Sequence, residues 1–141
     1  MLSRVAESLY WLSRHLERAE HTARLIDVHL NSMLDQAGGD ENLRWQRLLR
    51  SLRTPPPAGE IDAYSITRLL TFDEGNTSSI VYCIAAAREN ARQVRERISS
   101  EMWEQLNRLF LQVKQTSMEQ IWHAEPHKFL NSVKEGIYLF Q

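Results

Sequence analysis

From Leu2 to about Leu34 the apolar residues Val5, Leu9, Leu12, Leu16, Ala19, Ala23, Ile26, Leu30 and Leu34 recur at steps of three and four, and no Pro or Gly interrupts them. Residues three and four apart stack on one face of an α-helix. The spacing therefore predicts a single unbroken helix, about 50 Å long at 1.5 Å per residue. A helix of that length needs other apolar faces laid along it, and helices are what the remaining sequence offers.

Gly38-Gly39 closes the first helix as a C-terminal glycine should. Asp40 is placed to cap a second, covering Leu43, Leu48, Leu49 and Leu52 with Trp45 on its flank. The segment Thr54-Pro55-Pro56-Pro57-Ala58-Gly59 reads as a stiff surface connection. A short helix is expected over 62–71, a loop rich in capping residues over 72–78, and a longer helix from about Ser78 to Ile98. That longer helix carries Ile80, Ile84, Ala87, Ala91, Val94 and Ile98 on one face. After a Ser99-Ser100 turn, a helix buries Met102, Trp103, Leu106, Leu109, Phe110 and Val113. Pro126, a first-turn residue, opens a last amphipathic stretch through Phe129, Leu130, Val133 and Ile137. No stretch alternates with period two for long enough to form a strand. The expectation is an all-α fold: an antiparallel bundle of about five to six helices in one domain, 1–141.

Composition narrows the function classes. The 141 residues, 43% hydrophobic and 25% charged, are enough to bury a core. A net charge of −1 gives no global pull toward nucleic acid or anionic lipid, so neither is expected as a partner. The single cysteine, Cys83, excludes an internal disulfide and a CxxC metal site, and its neighbours Ile80, Ile84 and Ala87 give it the role of a small buried hydrophobe. With no basic-then-apolar leader and no apolar run of membrane length, the cytoplasm is the default compartment. The fourteen Arg against three Lys favour bidentate pairing with carboxylates.

The most distinctive polar pattern lies on the first helix. Glu7, Tyr10, Arg14, Glu17, His21 and Arg24 follow at steps of 3, 4, 3, 4 and 3, one stripe roughly opposite the leucine face. Glu20, Arg24 and Asp27 form a second line beside it. Such a stripe reads either as a solvated face laced by ion pairs or as the lining of a polar site. Trp11, Leu25 and Val28 lie near it and predict a central helix with neighbours on both sides, partly burying the stripe. On the 78–98 helix Arg88, Arg92 and Arg95 line one edge, able to clamp a carboxylate or phosphate or to pair internally with Glu89 and Glu96. Asn76-Thr77-Ser78-Ser79 heads that helix and reads as a cap, with anion binding the rarer use. Glu17 with His21 and Glu119 with His123 have reachable spacing, but no Glu-x-x-His occurs; His123, Glu125 and His127 read as surface, and no metal or other cofactor is expected. Neither a nucleophile elbow nor a phosphate-cradling glycine loop is present.

Residues 1–27, from Met-Leu-Ser-Arg-Val-Ala-Glu-Ser-Leu-Tyr-Trp-Leu through Arg14-His15-Leu16-Glu17-Arg18-Ala19-Glu20 to Asp27, resemble the opening helix of the bacterial alpha-E domain family. The runs Asn76-Thr77-Ser78-Ser79-Ile80 and Ala87-Arg88-Glu89-Asn90-Ala91-Arg92 are similar to a second stretch of it, and Trp103, Glu104 and Asn107 fit the helix that follows. The resemblance implies an all-helical bacterial protein, encoded beside or fused to circularly permuted ATP-grasp ligase-like proteins, often with transglutaminase-like proteins nearby. That company implies a role in making or processing a peptide or amide-linked product, and it carries over no catalytic residue. It also implies a chain about twice as long, with a second Arg-x-x-Glu-Arg-Ala-type helix. This chain is then expected to be a short form or a truncation whose exposed apolar surface a homodimer would cover. Two functions are weighed. One is a helical accessory module that binds a partner, such as the ATP-grasp protein. The other is an enzyme subunit in which Glu7, Arg14, Glu17, His21 and Arg24 line a polar pocket, with a glutamate as general base.

Overall fold

The computed structural model describes residues 2–35, 41–57, 59, 61–123 and 126–140. Among them are seven α-helices, a 3-10 turn and no strand: α1 (Leu2–Asp35), α2 (Glu41–Ser51), α3 (Ala63–Phe72), α4 (Ile80–Gln93), α5 (Ser100–Gln115), α6 (Met118–His123) and α7 (Pro126–Phe140). The all-α expectation holds, and so does the long first helix. The Gly38-Gly39 stop, the Asp40 cap, Glu125 and the Leu34 side chain lie outside the described residues.

Local chemistry sets the ends. The Asp62 carboxylate accepts from the Ser65 N–H at 2.7 Å, the Ser79 hydroxyl from the Tyr82 N–H at 3.1 Å, and the Ser99 hydroxyl from the Met102 N–H at 3.1 Å. Each satisfies one of the donors a helix leaves open at its start. Two elements depart from the sequence reading. The helix expected over 78–98 starts at Ile80 and ends at Gln93, with Val94 at φ −118° as its cap and a 3-10 turn over Arg95–Arg97. Val94 and Ile98 are buried all the same, so the apolar spacing runs on through the change of winding and hides it. The short α6 was not expected. A reciprocal capping box starts it: Ser117 N–H donates to Gln120 Oε1 at 2.9 Å, and Gln120 N–H donates to Ser117 Oγ at 3.2 Å. On α2 the anchor is Trp45, placed on the flank by the spacing but fully buried against His29 of α1, while Leu43 is exposed.

Four helices close a ring. α1 packs most extensively against α4 and next against α7, and α5 bridges α4 and α7. α1 and α4 run antiparallel: Thr22 meets Ser78 at the head of α4, while Arg4 and Trp11 share a hollow with Asn90 and Gln93 at its end. Arg88 ties α4 to Asn107 of α5, and Gln112 ties α5 to Ser132 of α7. α3 lies against α1, α4 and α6, and α2 against α1. The core is continuous, running through Leu16, Ile26, Trp45, Ile66, Ile84, Leu106, Leu130 and Ile137. Fully burying one such aliphatic side chain contributes about 1.5–3 kcal/mol. Alanines 19, 23, 87 and 91 are all buried, on α1 and α4, and let those two axes approach closely.

One buried ion cluster pins α7 to α1. The Asp27 carboxylate, buried in α1, receives His127 Nδ1 at 2.8 Å and Lys134 Nζ at 3.1 Å. His127 is thereby a cross-helix contact and not simply the surface residue its position suggested. Removing the acid would leave the partly buried Lys134 cation without its partner, the costly half of a buried pair. Asp27→Ala is expected to lower unfolding free energy by about 3 kcal/mol, whereas Arg92→Ala, which breaks only an exposed pair, should cost under about 1 kcal/mol. Urea titration of the two variants checks this; equal losses would refute the ranking.

Candidate functional site

Because α1 is amphipathic, its angular positions divide into three useful zones. Leu12, Leu16, Ala19, Ala23 and Ile26 face the core. Opposite them, Glu7, Tyr10, Arg14, Glu17, His21 and Arg24 are all exposed. Arg14 pairs with Glu17 at 3.1 Å and Arg24 with Glu20 at 2.6 Å, both within one turn of helix. Trp11 and Val28 are 46% and 57% exposed, so the expectation that α1 has neighbours on both sides is corrected. α2, α3, α4 and α7 all gather on the leucine face and its two flanks, leaving the far side in water.

The arginine edge of α4 also resolves into separate contacts. Arg88 is half-buried: its Nε donates to Asn107 Oδ1 at 2.8 Å, and its guanidinium lies 5.3 Å from the Trp103 ring centre and 4.7 Å from that of Phe110. Arg95, on the 3-10 turn, covers Trp103 at 5.5 Å. Arg92 is exposed and grips Glu89 with two hydrogen bonds. Two of the three cations thus fasten α4 to α5 through aromatic rings, and no three-way clamp forms. At the head of α4 the Asn76–Ser79 run is internally paired: Ser79 caps the helix and Asn76 Oδ1 accepts from the Ser78 N–H.

The third zone of α1, between core and stripe, carries the site. A pocket of about 420 Å³ opens where α1, the end of α2 and the head of α4 meet. Arg14, Glu17 and His21 of the stripe line it, as do Trp11, His15 and Arg18 of α1, Ser51 at the end of α2, Leu52 and Arg53 after it, and Ser78 before α4. Glu7, Tyr10 and Arg24 are not among the lining residues. Three guanidiniums face one carboxylate, and Glu17 is already taken by Arg14. Among the described residues neither the Arg18 nor the Arg53 guanidinium has a hydrogen-bond or ion-pair partner. The pocket is cationic, with two unengaged forks.

The charge is felt by its neighbours. His15 is held below its ordinary titration range, first by burial and second by the Arg18 cation, so at neutral pH it is an uncharged imidazole. Burial pushes the Cys83 thiol up to about 12, with Arg18 pulling the other way. That thiol stays protonated at neutral pH and is no nucleophile. Among the described residues no three His, Cys, Asp or Glu side chains converge as metal ligands do.

Arg53 reaches the pocket by an unusual route. It has a φ of 54°, the left-handed conformation that favours glycine. Arg53 N–H donates to Arg50 O at 3.1 Å and Thr54 N–H to Leu49 O at 2.9 Å. These are the paired bonds of a Schellman helix ending, in which the left-handed position is normally Gly.

Arg18, His15 and Arg53 are the pocket residues that the stripe reading passed over. The first two had a signal. Arg4, Ser8, Trp11, His15, Arg18 and Thr22 follow at steps of 4, 3, 4, 3 and 4, a second stripe parallel to the first. Arg53 had none, because nothing in Leu52-Arg53-Thr54 announces a left-handed arginine.

A family model named Alpha-E, described as a predicted alpha-helical domain with a conserved ER motif, matches residues 1–141. No curated protein and no solved structure matches the chain. Glu-Arg dipeptides stand at 17–18 and 96–97, and the first places both of its side chains on the pocket.

His15 reports on Arg18. Its folded-state value lies below the unfolded one, so its contribution to stability is present above 6.5 and is lost as pH falls through the lowered value. Arg18→Gln is expected to raise the His15 titration midpoint, while burial still keeps it under 6.5. Imidazole NMR titration measures this; an unmoved midpoint would place Arg18 away from the pocket.

Proposed function

The chain belongs to the Alpha-E family, and from that footing we propose that it is a non-catalytic helical module. Its pocket holds an anionic group of a partner in an ATP-grasp-linked system that makes or processes peptide or amide bonds. The observation that carries this reading is the pair of unengaged guanidiniums, Arg18 of α1 and Arg53 after α2, that line one pocket. A planar guanidinium takes a carboxylate or phosphate with two parallel bonds, and amide-bond chemistry handles carboxylates by definition. Arg53 supports it independently. A left-handed conformation costs an L-residue about 1–2 kcal/mol, and glycine would avoid that cost while leaving the pocket without its second fork. Observed strain of this kind concentrates where a side chain is needed.

The setting comes from the family resemblance of residues 1–27, and the ATP-grasp protein is the partner it implies. An enzyme subunit is the weaker reading. Its general base would be Glu17, whose side chain is 56% exposed and already paired with Arg14. The desolvated base in the pocket is the His15 imidazole, and the lining serines, Ser51 and Ser78, donate their hydroxyls to backbone carbonyls, so no activated nucleophile accompanies it.

Two measurements test this. Charge reversal, Arg18→Glu with Arg53→Glu, is expected to abolish co-purification with an ATP-grasp protein of the kind the family resemblance implies; a complex that survives reversal would sink the proposal. Arg53→Gly should be neutral or stabilising by about 1 kcal/mol in thermal unfolding, yet weaken glutarate binding about tenfold. Loss of stability without loss of binding would make Arg53 merely structural.

A further inference from the structure

Resting on that reading of the pocket, we infer that its occupant is the C-terminal end of an extended peptide whose last residue is acidic, with an apolar side chain laid on Trp11. Two unengaged guanidiniums can take two carboxylates, and a C-terminal Glu or Asp supplies two on one residue, the main-chain and the side-chain carboxylate. An internal acidic residue supplies only one.

The pocket also continues beyond its cationic end. A second hollow of about 360 Å³ lies along the α1–α4 seam, lined by Arg4, Glu7, Ser8, Trp11, Asn90 and Gln93. Trp11 belongs to both hollows. Tyr10 stands edge-on to it at 5.3 Å, and the His15 ring lies 6.1 Å from it at a tilt of 36°. A half-exposed indole buttressed in this way is a ridge between two depressions, the kind of aromatic anchor that dominates binding energies. The second hollow has a different character from the first. Arg4 and Glu7 offset each other's charge, and the amides of Asn90 and Gln93 offer hydrogen bonds suited to a neutral peptide backbone. Negative charge is therefore wanted at the Arg18 end and not at the Arg4 end.

Helix geometry sets the peptide's dimensions. Trp11 and Arg18 are seven residues apart, about 10 Å along α1, which an extended chain crosses in about three residues. The apolar side chain is thus placed three positions before the acidic terminus. Arg4 lies about 10 Å further along, so about seven residues span both hollows.

The probe is a fluorescein-labelled heptapeptide, Ala-Gln-Ala-Phe-Ala-Ala-Glu with a free C-terminus, read by fluorescence anisotropy at low salt. It is expected to bind at least about tenfold more tightly than glutarate. C-terminal amidation, replacement of its Phe by Ala, and the protein changes Trp11→Ala, Arg18→Gln and Arg53→Gln should each weaken it about tenfold. Arg108→Gln, on the α5 face, should not change it; Arg108 lines a separate hollow. Affinity should rise as pH falls through the His15 titration, because a bound carboxylate favours the imidazolium. Circular dichroism of Trp11→Ala shows whether the fold is kept, which the exposure of that side chain favours.

If glutarate shifts the His15 and Arg18 resonances but the heptapeptide binds no better, the peptide inference fails and the anion pocket stands. If neither ligand perturbs the pocket and charge reversal leaves the partner complex intact, the anion pocket itself fails. Inorganic phosphate or phosphatidylserine vesicles binding more tightly than the peptide, with the same dependence on Arg18 and Arg53, would overturn the peptide assignment in favour of a phosphate group.

Discussion

Ser78 holds three elements together with one residue's polar groups. Its carbonyl accepts from the Thr22 hydroxyl of α1 at 2.9 Å, its own hydroxyl donates to Leu52 O at the end of α2 at 3.2 Å, and its N–H donates to Asn76 Oδ1 at 3.0 Å. Thr22 and Ser78 are both buried, so a broken partner here would carry the full desolvation penalty of about 1–3 kcal/mol per group. That asymmetry fixes the antiparallel register of α1 on α4, which hydrophobic burial alone, being non-directional, does not. The register in turn decides which α1 side chains stand beside the α2 ending. The pocket is a consequence of this junction: Ser78 and Leu52 line it, and Arg18 lies one turn of α1 before Thr22.

Polar interactions in this protein sort by burial more than by number. The exposed pairs Arg14–Glu17 and Arg92–Glu89 sit within single helices and each contribute at most a few tenths of a kcal/mol. The buried or half-buried ones cross between helices: Asp27 to His127 and Lys134, Arg88 to Asn107 and two aromatic rings, Gln112 to Ser132. Apart from the exposed Lys114–Glu74 pair, which ties α5 to the loop before α4, it is the second group that tells one helix where its neighbour is. The regular charged stripe of α1, the most conspicuous pattern in the sequence, belongs mainly to the first group. Its structural role is solubility and helix support, and three of its members gain a further role only because the pocket happens to reach them.

What was legible follows from which forces act locally. The length of α1, the starts of α3, α4 and α5, and the burial of Cys83, Ile84, Leu106 and Val133 all follow from periodicity and capping chemistry, both readable within a few residues. The end of α4 was not, because Val94 and Ile98 stay buried through a 3-10 turn that preserves the apolar spacing. Trp45 was misplaced because its burial depends on His29 of another helix. His127 is the surface residue its position suggests, but its contact with Asp27, a hundred residues away, is not visible in the sequence. The functional site sits at the limit of this rule. Its α1 half was latent in the Arg4–Thr22 spacing, and its α2 half depends on a backbone angle at Arg53 that sequence does not display.

The two stripes of α1 also show why the quieter one holds the site. A residue opposite the core has water on every side, so its charge is screened and its side chain pays full conformational entropy on binding. A residue at the core's edge stands against a neighbouring helix that excludes water and narrows its rotamers. Arg18 is exposed like the stripe residues, but it stands near enough to His15 and Cys83 to act on both, whereas Arg24 across the helix does neither. The field of Arg18 is felt at His15 and Cys83 because those two groups are themselves desolvated. Arg53, held in place by two backbone hydrogen bonds of the helix ending, brings a second charge from a backbone position with little freedom. Both cations are exposed, and what sets them apart from the stripe is that they line one pocket, one of them from a fixed backbone position, so less ordering is needed when an anion binds. On that ground the flank of α1 is the part of this surface built to recognise a charged group.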